Sequence, residues 1–105
     1  MIEKLTDETF SSAIAKGDVV VDFWASWCGP CKMMEPVLVD ASEKMQNVKF
    51  CKVNIDDYPK LASANNIMSI PTLIVFRDGK QIGSVVGAMG SASLMQKINT
   101  FTESN

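Results

Sequence analysis

Apolar residues occur along the chain in two alternating patterns. Some segments are short, nearly continuous apolar runs, which is typical of strands buried on both faces of a sheet. The clearest run is Val19 to Ala25, interrupted only by Asp22. Two later runs are joined at residues 77–79 by Arg-Asp-Gly, a sequence that favours a hairpin turn. The predicted strands cover residues 2–5, 19–25, 48–55, 72–76 and 80–86.

The other segments carry apolar residues every three or four positions, as amphipathic helices do. Thr6 is predicted to cap a first helix, and Gly17 to end it. The longest helix follows a turn at residues 26–29 and contains Pro36, which should kink it. Four helices are predicted. The first follows Thr6, and the second runs from the turn to about residue 46. The third covers residues 59 to about 65, and the fourth begins at residue 91 or 93 and ends at 101.

The order of these elements is βαβαβ followed by αββα. That order predicts an α/β protein with a mixed sheet, helices on both faces and right-handed crossovers in the parallel half. The 105 residues are expected to form a single domain, residues 1–105. A chain of this length, 47% hydrophobic, can fold without disulfide bonds or a structural metal.

The charge pattern excludes several classes of partner. The formal net charge is −2 and the isoelectric point about 5.0, so no basic surface for nucleic acid is expected. No apolar run approaches the roughly 20 residues that cross a bilayer. The acidic start lacks the apolar core of a signal peptide, so we expect a cytoplasmic protein unless a leader preceded this numbering.

The segment Cys28-Gly29-Pro30-Cys31 lies where a buried strand ends and the long helix begins. Two cysteines three residues apart lie on one helix face, close enough for a disulfide to form. Pro30 is tolerated there because first-turn N–H groups have no partner within the helix. The same free N–H groups favour a thiolate over a thiol. Because the chain contains no histidine, a Cys–His pair is excluded and the helix end must supply the activation.

Two other interpretations of the cysteines compete with redox chemistry. A zinc site needs four ligands, and with no histidine and only Cys51 left over, a carboxylate would have to complete it. A purely structural disulfide across so short a loop would stabilise the fold little. Cys51 itself fits a small buried hydrophobic residue in a strand, with a regulatory thiol as the alternative. Redox chemistry is therefore favoured, and no metal is expected.

Two charged residues interrupt the predicted buried strands. Burial would raise the pKa of Asp22, which would suit it to accept a proton from a cysteine. A carboxylate that merely ends or polarises the strand fits equally well on the residues alone. Lys52 is the candidate cation near Asp22, and an ordinary exposed lysine at a strand edge is its alternative.

Several segments together resemble the thioredoxin family, in its order and spacing, from about residue 2 to residue 102. The most specific is the run of nine residues Trp24-Ala25-Ser26-Trp27-Cys28-Gly29-Pro30-Cys31-Lys32. The others are Asp22, Lys52-Val53-Asn54-Ile55-Asp56, Ser69-Ile70-Pro71-Thr72 and Val85-Val86-Gly87-Ala88.

The resemblance implies the thioredoxin fold, a central five-stranded mixed sheet flanked by four helices in three layers. It implies a protein-disulfide reductase and electron carrier that maintains redox homeostasis. Cys28 would be the exposed nucleophile, Cys31 the more buried resolving cysteine, and Asp22 the proton acceptor. Thioredoxin reductase would restore the dithiol with its own FAD and with NADPH, while this chain, a monomer, would bind no cofactor.

The resemblance also assigns supporting roles. It implies a cis peptide bond before Pro71, where the residue alone predicts trans. Gly29-Pro30 between the cysteines resembles the reducing members, whereas oxidising members usually carry a histidine there. The supporting residues of the site are Trp27, Gly29, Pro30, Lys52 and Pro71. The surface that docks disulfide-containing substrates would comprise Trp27, Ile55, Ile70, Pro71, Val86, Gly87 and Ala88. A binding module that docks partners without catalysis is the competing class.

Overall fold

A computed structural model describes residues 2–104 of the chain. Its elements follow the predicted order of strands and helices, and their bounds lie within a few residues of the predicted ones. They are β1 (Ile2–Lys4), α1 (Phe10–Ile14), β2 (Asp18–Trp24), α2 (Gly29–Lys44), β3 (Val48–Asn54), α3 (Pro59–Ala64), β4 (Thr72–Arg77), β5 (Lys80–Val86) and α4 (Ser91–Ser104).

The five strands form one mixed sheet in the order β1-β3-β2-β4-β5. Strands β1, β3 and β2 run parallel, whereas β4 and β5 join the sheet antiparallel. The central strand β2 is paired on both sides, and its five inner residues are all buried. The expected mixed sheet is confirmed, and its central strand leads directly into the cysteine turn.

Apolar clusters cover both faces of the sheet, so the expected three-layer arrangement is also confirmed. On one face, Met34 and Leu38 of α2 pack with Leu94 and Ile98 of α4. On the other face, α1 packs through Phe10, whose ring meets Phe76 edge-on with centroids 5.9 Å apart. Because β2 is covered by apolar side chains on both faces, its C-terminal end is held firmly in place, and the turn that leads into α2 begins there.

The first helix begins later than predicted. Instead of starting after Thr6, α1 starts at Phe10. The hydroxyl of Thr6 accepts the backbone N–H of Thr9 at 3.3 Å, and the Thr9 hydroxyl accepts the backbone N–H of Thr6 at 2.9 Å. These reciprocal bonds stabilise a turn before the helix, because threonine hydroxyls compete with helical hydrogen bonds.

Charged groups hold together the end of the sheet where β2 begins. The Arg77 guanidinium donates to both carboxylate oxygens of Asp18, at 2.7 and 3.0 Å, and to the carbonyl of Thr102 at 2.8 Å. This hydrogen bond to Arg77 lowers the pKa of Asp18. Nearby, the Gly17 N–H donates to the Asp78 carboxylate at 2.8 Å. The set ties β2, β4 and α4 together far from the cysteines.

Candidate active site

The two cysteines lie at the N-terminal end of α2. Cys28 is the N-cap residue, with an extended backbone, and Pro30 lies in the first turn. The backbone N–H of Cys31 donates to the Cys28 Sγ at 3.2 Å. The sulfur therefore occupies the place that the side-chain oxygen of a capping serine or aspartate takes at other helix starts. A negative charge on that sulfur would be stabilised by this donor and by the positive end of the helix dipole.

Cys28 and Cys31 form a disulfide, with their Cα atoms 5.2 Å apart. The expectation of an exposed Cys28 is wrong for this state, because 5% of the residue is exposed, against 3% for Cys31. Trp24, Ile55 and Ile70 pack against the cysteine pair and cover it. The Cys28 Sγ lies 3.9 Å from the carbonyl oxygen of Ile70. In the disulfide form Cys28 is therefore largely shielded from solvent, and the backbone of Ile70 lies beside its sulfur.

Asp22 is buried in β2, as its position in an apolar strand predicts. It is 3% exposed, and its Oδ1 atom has no hydrogen-bond partner among the described residues. Burial raises the pKa of Asp22 to about 7, Lys52 counteracts this rise, and Glu35 adds to it. A carboxyl group with this pKa exists in both protonation states near neutral pH.

Lys52 lies directly opposite Asp22 in the parallel register of β2 and β3. Its ammonium group is 3.6 Å from a Glu35 carboxylate oxygen and 5.1 Å above the ring of Trp24. Only 15% of the lysine side chain is exposed, so it is not an ordinary surface lysine. Sequence reasoning missed Glu35. Its position one helical turn after Cys31 was the available signal.

The peptide bond between Ile70 and Pro71 is cis, as the resemblance implies. The Thr72 hydroxyl donates to the carbonyl of Ser69 at 2.6 Å, which closes the turn around the proline. The Pro71 carbonyl accepts the N–H of Gly87 at 2.9 Å. The segment before β4 and the segment after β5 therefore meet beside the cysteines.

The loop after β5 has a second attachment, to α2. The backbone N–H of Met89 donates to the Sδ atom of Met34 at 3.4 Å. Met34 is fully buried, one turn after Cys31. Ala88, which lies between the two attached residues Gly87 and Met89, is exposed. The sequence alone gives no signal for this contact, because the two methionines lie 55 positions apart in the chain.

Trp27 is held in place although 66% of it is exposed. Its indole Nε1 donates to the Asp56 carboxylate at 2.9 Å, and the Asp56 N–H donates to the Asn54 side chain at 2.9 Å. Asp56 was part of the resemblance but had no predicted role. Val86, another residue of the predicted docking surface, is 62% exposed.

The remaining predicted residues play smaller parts in this geometry. A Cβ atom on Gly29 would meet no atom within 4 Å, so packing inside the chain does not require glycine there. Cys51 is completely buried, and burial raises the pKa of its thiol to about 11, as expected for a small core residue. Within residues 2–104, no three His, Cys, Asp or Glu side chains form a group that could hold a metal. No helix in the same range is long and apolar enough to span a bilayer.

Known proteins match this chain over nearly its whole length. Residues 1–100 match the thioredoxin family model. A thioredoxin of Chlamydia caviae is 48% identical over 99 residues, covering 94% of this chain and 97% of the relative. A thioredoxin of Rickettsia prowazekii is 42% identical over 102 residues, with the same coverage.

A solved structure agrees in fold. It comes from work on the structural basis of the thiol resolving mechanism in yeast mitochondrial 1-Cys peroxiredoxin via glutathione/thioredoxin systems. A chain of that structure superposes with a TM-score of 0.87 at 35% identity, covering 94% of each chain. With the cysteine pair at the start of α2, these matches lead to one conclusion: the chain belongs to the thioredoxin family of protein-disulfide oxidoreductases, which work by dithiol–disulfide exchange.

Proposed function

We propose that Cys28 is the nucleophile and Cys31 the resolving cysteine in the reduction of protein disulfides. The observation that carries this assignment is the hydrogen bond from the Cys31 N–H to the Cys28 Sγ, at 3.2 Å. Hydrogen bonding to a charged form favours that form, so the donor lowers the cost of a thiolate at Cys28. A thiolate is the species that attacks disulfides.

The exchange proceeds in two steps. The Cys28 thiolate attacks one sulfur of the target disulfide, a new S–S bond forms, and the other target sulfur leaves as a thiolate that takes up a proton. Cys31 then loses its proton and attacks the Cys28 Sγ, releasing the second target sulfur, which is protonated in turn. Two electrons and two protons pass to the target, and the chain is left with the Cys28–Cys31 disulfide.

Asp22 is the proposed acceptor of the Cys31 proton, through a water molecule. A pKa of about 7 allows it to accept and return a proton near neutral pH. Lys52 faces Asp22 in the register and stabilises its charged form, and Glu35 opposes that effect. The charges of Lys52 and Glu35 therefore set the pH range in which Asp22 can accept a proton.

A substrate segment would dock on the residues around the cysteine pair. The backbone of Ile70 and the exposed residue Ala88 lie on two segments that meet beside the cysteine pair, a geometry suited to the addition of an extended strand. Trp27 and Val86 supply exposed apolar surface. Pro30 stiffens the turn that presents Cys28.

The wider setting follows from family membership. We propose that thioredoxin reductase regenerates the dithiol, with NADPH as the electron source and FAD held by the reductase. The chain itself would work as a single-domain monomer in the cytoplasm, without a bound cofactor, on disulfide-containing proteins.

The test is to trap substrates on a Cys31→Ser variant. Without the resolving thiol, the mixed disulfide with Cys28 should persist and be isolated by non-reducing gel and mass spectrometry. The double variant Cys28→Ser/Cys31→Ser is the matched control and should trap nothing. If Cys31→Ser traps no substrate while the wild-type protein reduces it, the assignment of the two cysteines is wrong.

A further inference from the structure

Met68 is the most exposed large apolar residue of the described chain, with 93% of its surface open to solvent. It precedes Ser69, Ile70 and Pro71, the segment that meets the cysteine pair. An exposed apolar side chain that adjoins other exposed apolar surface marks an interaction site more often than an isolated one does. Trp27, 66% exposed, supplies that neighbouring surface.

Met68 and Trp27 belong to one open groove of about 310 Å³. Its lining is mainly apolar and includes no charged side chain: Trp27, Ile55, Ala62, Ile67, Met68, Ser69 and Ile70. A cavity of about 150 Å³ lined by apolar side chains holds a benzene molecule. The groove is therefore large enough for one bulky apolar side chain.

The groove is continuous with the redox site. Ile70 lines the groove, and its carbonyl oxygen lies 3.9 Å from the Cys28 Sγ. A substrate joined to Cys28 by a mixed disulfide therefore begins at the rim of the groove. Because an extended chain advances about 3.3 Å per residue, the residues flanking the substrate cysteine reach the groove.

We propose that Met68 is a specificity-determining residue, which favours substrates with a bulky apolar side chain beside the disulfide cysteine. A charged side chain would lose water on entering this groove and find no opposite charge among the lining residues. The unbranched, polarisable methionine adapts to apolar groups of different shapes. This inference rests on the proposed function of Cys28, and it names the substrate class that the same site selects.

The test uses two disulfide-bridged peptides that differ only in the residues on each side of the cysteine, leucine in one and glutamate in the other. The reduced wild-type protein should show a kcat/KM at least about tenfold higher for the leucine peptide. A Met68→Gln variant, of similar length but polar, should narrow that ratio to about threefold or less. A Met68→Lys variant should bring it to unity or reverse it.

Met33→Gln is the matched control. Met33 is also an exposed methionine, 68% exposed on α2, but it does not line the groove. This variant should keep the wild-type ratio. Both methionines are exposed, so neither substitution removes a core contact and the variants should remain folded.

The outcomes separate this inference from the proposed function. Equal kcat/KM for the two peptides with the wild-type protein, or an unchanged ratio in Met68→Gln, overturns the role of Met68 while leaving disulfide reduction intact. A wild-type protein that reduces neither peptide, like a Cys28→Ser control, overturns the proposed function itself.

Discussion

The redox turn, residues 28–31 at the start of α2, and the middle of β3 both contain buried cysteine, but the two surroundings give the thiol different chemistry. Cys28 is 5% exposed and Cys51 is 0% exposed, so burial hardly distinguishes them. Cys28 caps a helix and accepts the N–H of Cys31. Cys51 has neither advantage, and burial raises the pKa of its thiol to about 11. The comparison teaches that reactivity depends on which donors point at the sulfur.

The backbone around Cys51 explains the contrast. Cys51 is paired with Glu3 of β1 on one side and with Val21 of β2 on the other. Backbone N–H groups within a sheet are used by the strand ladders, so few remain for a side chain. The first turn of a helix, in contrast, leaves N–H groups without partners. A sulfur at a helix start therefore meets donors that one in a central strand does not.

The largest expected effect is on catalysis. Cys28→Ser should lower the rate of disulfide reduction by a factor of about 10⁴ or more, because a serine hydroxyl cannot form the mixed disulfide. Cys51→Ala should keep the rate within about twofold and cost about 1 kcal/mol of stability. The rate is measured with dithiothreitol as electron donor and a protein disulfide as substrate. A comparable loss of rate in Cys51→Ala would end the distinction between the two cysteines.

Asp22 tests what burial does to an ionisable side chain within the sheet. Its pKa is raised from 3.8 to about 7, so between these values the folded state binds more protons than the unfolded state. The stabilisation is complete below pH 3.8 and is lost as the pH rises through about 7. Because one pKa unit corresponds to about 1.4 kcal/mol, the loss amounts to about 4 kcal/mol.

Denaturant unfolding of wild type and Asp22→Asn at several pH values measures this loss. The free energy of unfolding of the wild type should fall from pH 4 to pH 8 relative to that of Asp22→Asn, which cannot ionise. Constant costs of the substitution cancel in this difference. Parallel curves for the two proteins would show that Asp22 ionises normally.

Alkylation of the reduced protein compares the two thiols directly. At pH 7, iodoacetamide should modify Cys28 at least about 100-fold faster than Cys51, since the thiolate is the reactive form. Mass spectrometry of peptides gives both rates in one sample, with the denatured protein as the control. The rate at Cys28 should reach half its maximum below the ordinary cysteine pKa of about 8.5. A midpoint at or above that value would contradict activation by the helix end.

The smallest expected effect concerns Met34, whose side chain joins α2 to the loop after β5. Met34→Leu removes the thioether that accepts the Met89 N–H. It should lower the free energy of unfolding by about 1 kcal/mol and speed hydrogen exchange of the Met89 amide about tenfold. Met45→Leu, at the other end of the same helix, is the matched control and should leave that amide unchanged. Equal exchange in both variants would make Met34 a simple core residue.

Local patterns predicted most of the fold because they act within a few residues. The hairpin is an example: Asp78 and Gly79 have positive φ angles of 51° and 86°, as a tight two-residue turn between β4 and β5 requires. The start of α1 was missed because the hydroxyls of Thr6 and Thr9 stabilise a competing turn. Pro36 does lie inside α2, and the kink expected there stays a prediction.

The catalytic pair was predictable, whereas the contacts that position the site were not. The cysteines and Asp22 stand out as exceptions within their own segments. The acceptor for Trp27 lies 29 positions away and the partner of Met34 lies 55 positions away. The burial of Cys28 depends on Ile55 and Ile70, which come from two other segments. A single sequence carries no signal for such pairings.

The ion pair between Asp18 and Arg77, called the ionic clamp below, lies at the start of β2 and has a practical consequence for immobilising the molecule. Asp18, held by Arg77, and Trp24, which precedes the redox turn, lie at opposite ends of a strand about 20 Å long. The side chain of Lys80 is exposed at the hairpin beside the clamp. Attachment to a bead or an electrode through that position alone would orient the molecule with its sulfur chemistry facing the bulk solution.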